Sequence, residues 1–449
     1  MDTPETRYLR TEDGTHIGYQ VYGSGPYDLV LNDGWLSCID ANWQLEDFAD
    51  VYRAFAKRAR VIAFDRRGFG VSDRPTTPDA MTLEISMDDL RQVMDAAGSE
   101  RAVLLGIEAG AGVSLLFAAS YPQRVLSLVL QAPLVYSWKS ADFPWGFSQH
   151  EMRHWDRMIE TRWGTEEFWR WNLSTMHMEA PDPETLRELA RWSRLCASPQ
   201  AAFAVNRMEM EADVRNVLPD IRVPTLVLQA EGDVDDSTWG GSEWIARQIP
   251  GAEYVVVPGA KHFLTAGDVG AFDAMDRFVA GIQGVEAELD RVLGTVLFTD
   301  IVGSTQKAAE LGDLEWRRLL ERHNSTVRAM LARYRGTEVD TAGDGFFATF
   351  DGPARAVRCA QATVDAVRSI GLEIRAGVHT GELQTIDGKV GGMGVVIGAR
   401  VGAKAGASEV LVSQTVKDLV AGSGLVFEDA GEHELKGVPD AWKVFRVLA

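Results

Sequence analysis

A mostly parallel α/β domain with a helical lid, followed by a smaller α+β domain, is the architecture this sequence predicts. Three observations carry it. The 449 residues are more than one compact core usually serves. Short apolar runs alternate with helical stretches through the first part of the chain, the rhythm of βαβ units. From Val292 onward that rhythm gives way to a different one. With 46% hydrophobic and 24% charged residues, the composition is that of a folded globular chain and excludes a disordered, collagen-like or coiled-coil one.

In the first unit the runs Asp28 to Leu31, Val61 to Phe64, Ala102 to Leu105, Leu126 to Leu130, Thr225 to Leu228 and Tyr254 to Val257 read as strands. Each is followed within a few residues by Gly, Asp or Pro, which puts polar loops at the carboxyl edge of the sheet, where open α/β sheets bind ligands. From about 137 to 220 the rhythm breaks into a helical insert holding Trp138, Trp145, Trp155, Trp163, Trp169, Trp171 and Trp192. These predict a lid over an apolar pocket, and the same aromatics serve equally well to pack the lid onto the domain. The first domain is placed at 1–283, a short linker at 284–294 and the second domain at 295–449. So short a linker leaves little slack, and events in the first domain can bias the placement of the second.

The second unit reads as a strand at Thr295 to Thr299, then an amphipathic helix with Trp316, Leu319, Leu320, His323, Val327, Leu331 and Tyr334 at helical spacing. A hairpin is expected at Gly343-Asp344-Gly345, a helix near Ala354 to Val367, and a strand at Glu373 to Val378.

Charge and cysteine usage narrow the function. The balance of 45 Lys and Arg against 65 Asp and Glu, a formal charge of −20, works against nucleic acid and anionic lipid as partners. An anionic substrate then needs a local site with metal ions or a few placed cations. Cys38, Cys196 and Cys359 are scattered without CxxC spacing, so neither a disulfide framework nor a zinc site is expected. The amino-terminal residues lack a signal pattern and no window reaches about 18 uncharged apolar residues, so a cytoplasmic location and no membrane partner are expected.

The sharper chemistry lies in the second unit. Asp300 closes a strand ahead of a turn that contains Gly303 and leads into a helix, a place where metal and phosphate can sit side by side. Asp344 stands at a hairpin tip. Either alone is a common turn residue; together they supply the two carboxylates that a two-metal phosphoryl site requires. FTDIVGST, GDGFFATF, IRAGVHTGE and the Arg of GARV, in that order, resemble the catalytic domain of the class III nucleotidyl cyclases over Val292 to Ala449. The resemblance implies an α+β, ferredoxin-like domain acting on a purine nucleoside triphosphate, ATP by the family pattern. It implies that Asp300, Asp344 and the Ile301 carbonyl bind two Mg²⁺ or Mn²⁺ ions, and that Arg400 stabilises transition-state charge. It further implies that Lys436 contacts the terminal phosphates and that a homodimer shares two sites.

Three positions depart from the family pattern. Asp340 stands where a base-reading Lys is usual, Lys389 where an Asp is usual, and Val396 where an Asn positions the ribose and phosphate. An acceptor at Asp340 and a donor at Lys389 suit guanine, so GTP is an alternative; the two side chains equally well pair with each other. Valine cannot hydrogen-bond, which predicts slow turnover and keeps open a degenerate, nucleotide-binding regulatory module.

In the first unit Gly106-Ile107-Glu108-Ala109-Gly110 sits where a G-x-S-x-G nucleophile elbow falls, followed by Glu231-Gly232-Asp233 and Pro258-Gly259-Ala260-Lys261-His262. With Phe64 to Asp73, these segments resemble the α/β-hydrolases over Tyr19 to Gly281. The resemblance implies Glu108 in the nucleophile position, Asp233 as acid and His262 as base, with the Trp35 and Ala109 backbone N–H groups facing a bound oxygen. Relatives that act on epoxides or haloalkanes use Asp at the elbow. Glu is one methylene longer, and its reach predicts a static Glu108–His262 ion pair. Two readings follow: a sensor for a small apolar ligand, or a hydrolase with Glu108 as nucleophile coupled to the cyclase.

Overall fold

The computed structural model of the chain describes residues 3–34, 36–75, 81–260, 262, 265–282, 291–386 and 389–448. It divides into two compact units, Met1–Leu289 and Asp290–Ala449.

The first unit is built on eight strands: β1 (Arg7–Arg10), β2 (His16–Tyr22), β3 (Asp28–Asn32), β4 (Arg60–Phe64), β5 (Ala102–Ile107), β6 (Val125–Gln131), β7 (Thr225–Ala230) and β8 (Glu253–Val257). Their order in the sheet is β1-β2-β4-β3-β5-β6-β7-β8. Pairing is parallel from β4 through β8 and antiparallel at β1 and β2. The six expected runs are the six parallel strands, because burial on both faces forces continuous apolar sequence. The two antiparallel strands β1 and β2 lie outside the expected set; β1, Arg-Tyr-Leu-Arg, is at the sheet edge, mostly exposed, and carries no apolar run.

Helices α1 (Glu46–Ala56), α2 (Leu83–Ala96) and α3 (Gly110–Ser120) cover the sheet. Helix α3 is buried from Gly110 through Ala119, which is why its sequence is apolar all round save Ser114. The insert folds as α4 (Gln149–Arg162), α5 (Glu166–Thr175), α6 (Pro183–Cys196) and α7 (Pro199–Glu211). Each lid helix opens on a side chain that accepts from a backbone N–H of its first turn: Ser148, Thr165, Asp182 and Ser198. Helices α8 (Ser242–Gln248) and α9 (Val269–Gly281) complete the unit.

In the second unit β9 (Arg291–Ile301), α10 (Ser304–Leu311), α11 (Asp313–Arg333), β10 (Thr337–Ala342), β11 (Gly345–Phe350), α12 (Pro353–Arg368) and β12 (Ile374–Ile386) form a βαββαβ core. The remainder is β13 (Lys389–Gly391), α13 (Met393–Lys404), β14 (Val410–Ser413), α14 (Gln414–Leu419), β15 (Phe427–Glu434) and β16 (Ala441–Val447). Sheet order is β10-β11-β9-β12-β14-β16-β15, with β13 paired to β12. Strand β9 begins at Arg291, inside the stretch the sequence assigns to the linker, because residues 291–301 pair continuously with β12. Val327 and Leu331 of α11 join α12 and α14 in one hydrophobic cluster, whereas Ile397 and Val401 of α13 belong to another with Leu411, Leu435 and Val444. Among the described residues no helix is long and apolar enough to cross a membrane.

Candidate functional site

Strands β9 and β11 run antiparallel with Phe346 opposite Thr299, so the hairpin tip carrying Asp344 falls beside the Asp300–Ile301 end of β9. Gly343 at the tip and Gly303 ahead of α10 both have φ near 68° with open space around them. Backbone conformation, not crowding, calls for glycine at both. The two carboxylates are in unlike settings. Asp300 lies opposite Arg375 of β12, whose Nε donates to Asp300 Oδ2 at 2.9 Å while its Nη2 donates to the same oxygen. Asp344 Oδ2 is buried with no hydrogen-bond partner among the described residues.

A buried carboxylate oxygen without a donor is costly unless a cation meets it. The pair therefore fits hard divalent ions, which favour oxygen ligands. Among the described residues no three His, Cys, Asp or Glu side chains gather, so the Ile301 carbonyl, water and substrate phosphates would supply the remaining ligands.

Arg400 projects from α13 into solvent and its Nε donates to the Lys436 carbonyl oxygen at 3.2 Å. Leu435, buried against Ile397 and Val401, anchors that segment and places the exposed Lys436 next to Arg400. Val396, one turn before Arg400, is 38% exposed. Asp340 is exposed on the edge strand β10, where its Oδ1 accepts from the Thr341 N–H at 2.8 Å. Lys389 opens β13 opposite Ile386; its side chain lies outside the described residues.

The elbow of the first unit is closed by ion pairing. Glu108 has φ of 45°, the strained conformation of a strand-to-helix elbow. Its Oε1 is 2.8 Å from His262 Nε2, and Asp233 Oδ2 is 2.8 Å from His262 Nδ1. Burial opposes the imidazolium, but hydrogen bonds to Asp233 and Glu108 prevail and raise the His262 pKa to about 9. Gly34 leaves the room Glu108 needs, since a Cβ there would lie 2.4 Å from Glu108 Oε2. Arg66 donates to the Gly34 carbonyl and pairs with Glu209 of the lid at 2.9 Å. Burial raises Asp33 to about 6 and Glu209 to about 7, with Glu108 adding like charge to each and Arg66 opposing. Ala109 precedes α3 in helical conformation; Trp35 lies outside the described residues.

The lid tryptophans pack. Trp155 meets Trp171 at 5.1 Å and Trp169 meets Trp192 at 5.8 Å. The indole N–H groups of Trp163, Trp169 and Trp192 donate to Ala197 O, Ser193 Oγ and Asn42 Oδ1. A cavity of about 800 Å³ opens at the amino ends of β7 and β8, lined by Pro224, Leu226, Val255 and Phe278, at the sheet edge opposite the elbow.

Sequence reasoning missed Arg375 and the Arg66–Glu209 pair. Arg375 sits inside a recognised motif, but only the β9–β12 register puts it on Asp300. Glu209 was hidden in a lid read for its aromatics; a lone charged pair distant in sequence leaves no periodic signal.

The family model for the α/β-hydrolase fold matches residues 29–158, and that for the adenylate and guanylate cyclase catalytic domain matches residues 287–448. The putative carbamate hydrolase RutD of Azorhizobium caulinodans is 30% identical over 228 residues, 49% of this chain and 81% of that protein. Epoxide hydrolase 4 of Mus musculus is 32% identical over 78 residues, 17% of this chain and only 22% of its own length. The adenylyl cyclase CyaB from P. aeruginosa is 22% identical, covering 35% of this chain and 95% of that one with a TM-score of 0.34. The first unit belongs to the α/β-hydrolase fold family. The chain as a whole joins that domain to a class III adenylate and guanylate cyclase catalytic domain.

Proposed function

We propose that the chain is a nucleotidyl cyclase that converts a purine nucleoside triphosphate into the 3′,5′-cyclic nucleotide and pyrophosphate at sites shared by a homodimer. The observation that carries this reading is the meeting of Asp300 with Asp344, one oxygen of which is buried without a partner among the described residues, within a cyclase-family domain. Asp300, Asp344 and the Ile301 carbonyl would hold two Mg²⁺ or Mn²⁺ ions, whose chemistry would be activation of the ribose hydroxyl and neutralisation of phosphate charge. Arg400 and Lys436 bind the triphosphate and meet the charge that develops as pyrophosphate leaves. In the homodimer they come from the protomer that does not supply the carboxylates. ATP is the substrate by family pattern; Asp340 and Lys389 favour GTP if they face the base. Cyclic-nucleotide formation with Mn²⁺, ATP and GTP offered separately and Asp300→Ala as control, tests the reading. No product from a folded dimer would leave a nucleotide-binding regulatory module in its place.

For the first domain we propose a cytoplasmic sensor of a small, largely apolar ligand. The Glu108–His262–Asp233 geometry supports this over hydrolysis, because a Glu108 carboxylate turned onto His262 Nε2 at 2.8 Å, with Asp233 on the other nitrogen, is engaged in an ion pair rather than presented for attack on a substrate. A covalent ester trapped on Glu108 and absent in Glu108→Gln would replace this reading with that of a working hydrolase.

A further inference from the structure

We propose that Arg375 is a positioning residue that competes with a divalent cation for Asp300, so that the two metal carboxylates load unequally. The proposal rests on the reading of Asp300 and Asp344 as metal ligands and adds how their protein neighbours set them apart. Two independent observations set the carboxylates apart. Asp344 Oδ2 is buried with nothing among the described residues donating to it, so a cation arriving there displaces none of them. Asp300 Oδ2 already receives both Nε and Nη2 of Arg375, so a cation arriving there displaces a guanidinium.

The competition is built into the sheet. Arg375 and Asp300 are direct cross-strand partners on antiparallel neighbours, the arrangement in which opposite charges interact most closely. Ile374 and Ala376 on either side are buried in the core, and strand alternation therefore turns Arg375 to the opposite face, where it meets Asp300. With 37% and 41% of the two side chains exposed, the pair is of the weakly stabilising kind. It is strong enough to orient a free carboxylate and weak enough to yield to a doubly charged ion. Asp344 would therefore be the readier ligand, and Asp300 would join only once its Oδ2 leaves Arg375.

The test is a Mn²⁺ titration of the full-length chain without nucleotide, followed by the electron paramagnetic resonance of free Mn²⁺. The wild type is expected to show one tighter and one weaker ion. Arg375→Gln is expected to tighten the weaker ion by about three- to tenfold, since a neighbouring positive charge is removed. Arg375→Lys, which keeps the charge, should stay near wild type, and Arg375→Gln should add nothing in an Asp300→Asn background. Arg375→Met serves if Arg375→Gln fails to fold, as judged by its unfolding midpoint. Mn²⁺ binding that is unchanged or weaker on removing the guanidinium, while still responding to Asp300→Asn, overturns the competition alone. Binding indifferent to both Asp300→Asn and Asp344→Asn overturns the metal reading and the competition with it.

Discussion

Glu108 shows how one methylene changes an elbow. Its carboxylate reaches His262 Nε2 at 2.8 Å, and with Asp233 on the other nitrogen the ring is held as a doubly bonded cation. The folded-state pKa of about 9 lies above the ordinary 6.5. The stabilisation is therefore complete below pH 6.5 and is lost as pH rises through 9, a span worth roughly 3 kcal/mol. Glu108→Gln should lower the His262 pKa and flatten this dependence, read by imidazole NMR and urea unfolding at pH 6 and 9.5. Equal pH dependence in both proteins would show that the ion pair contributes nothing. Gly34→Ala tests the same contact from outside: a Cβ 2.4 Å from Glu108 Oε2 should destabilise the first unit by about 1–3 kcal/mol. An unshifted urea midpoint would mean that Glu108 gives way freely.

Helix α13 illustrates an element whose placement depends on what its sequence omits. A Cβ on Gly377 of β12 would come within 2.1 Å of the Gly402 backbone nitrogen, and one on Gly398 within 2.4 Å of Val296 Cγ2. Glycine at these positions lets the helix lie close on β9 and β12 and sets where Arg400 projects. Gly377→Ala is expected to cost several kcal/mol, since backbone rather than a flexible side chain must move. A melting temperature within a degree of wild type would show that the helix rides freely over the sheet. On the exposed face of the same helix, Val396→Asn restores a hydrogen-bonding group one turn from Arg400. It should raise cyclase turnover by about tenfold, the worth of one well-placed hydrogen bond; unchanged turnover would show that this position does not touch the nucleotide.

For the whole molecule, the proposal that the site is divided between protomers makes the strongest demand. Asp300→Ala and Arg400→Ala are each expected to be inactive alone, while their mixture regains activity through heterodimers that assemble one intact site. No recovery on mixing would place all the catalytic groups in one chain. The first unit also has a collective acid–base signature. Asp33, Glu209 and His262 all have raised folded-state values, near 6, 7 and 9. The folded state then binds more protons than the unfolded one from about pH 4 to 9, and stability of that unit should decline as pH rises across this range. A flat profile would mean that the buried groups stay ionised by admitting water.

The six parallel strands, the helical character of the lid insert and the carboxylate motifs are legible along the chain because each depends on local information: continuous apolar runs, a break in the strand rhythm from about 137 to 220, and short strings of residues around Asp300 and Asp344. Three features escape such a reading. The start of β9 at Arg291 reflects pairing with β12 rather than composition. The particular partner of a lid tryptophan, as when Trp192 donates to Asn42, is set by side chains 150 positions apart. The grip of Arg375 on Asp300, 75 positions apart, follows from an antiparallel register. Propensity and periodicity act over a few residues, so they specify elements. The partners of a charged group are chosen by strand register and burial, which belong only to the folded chain.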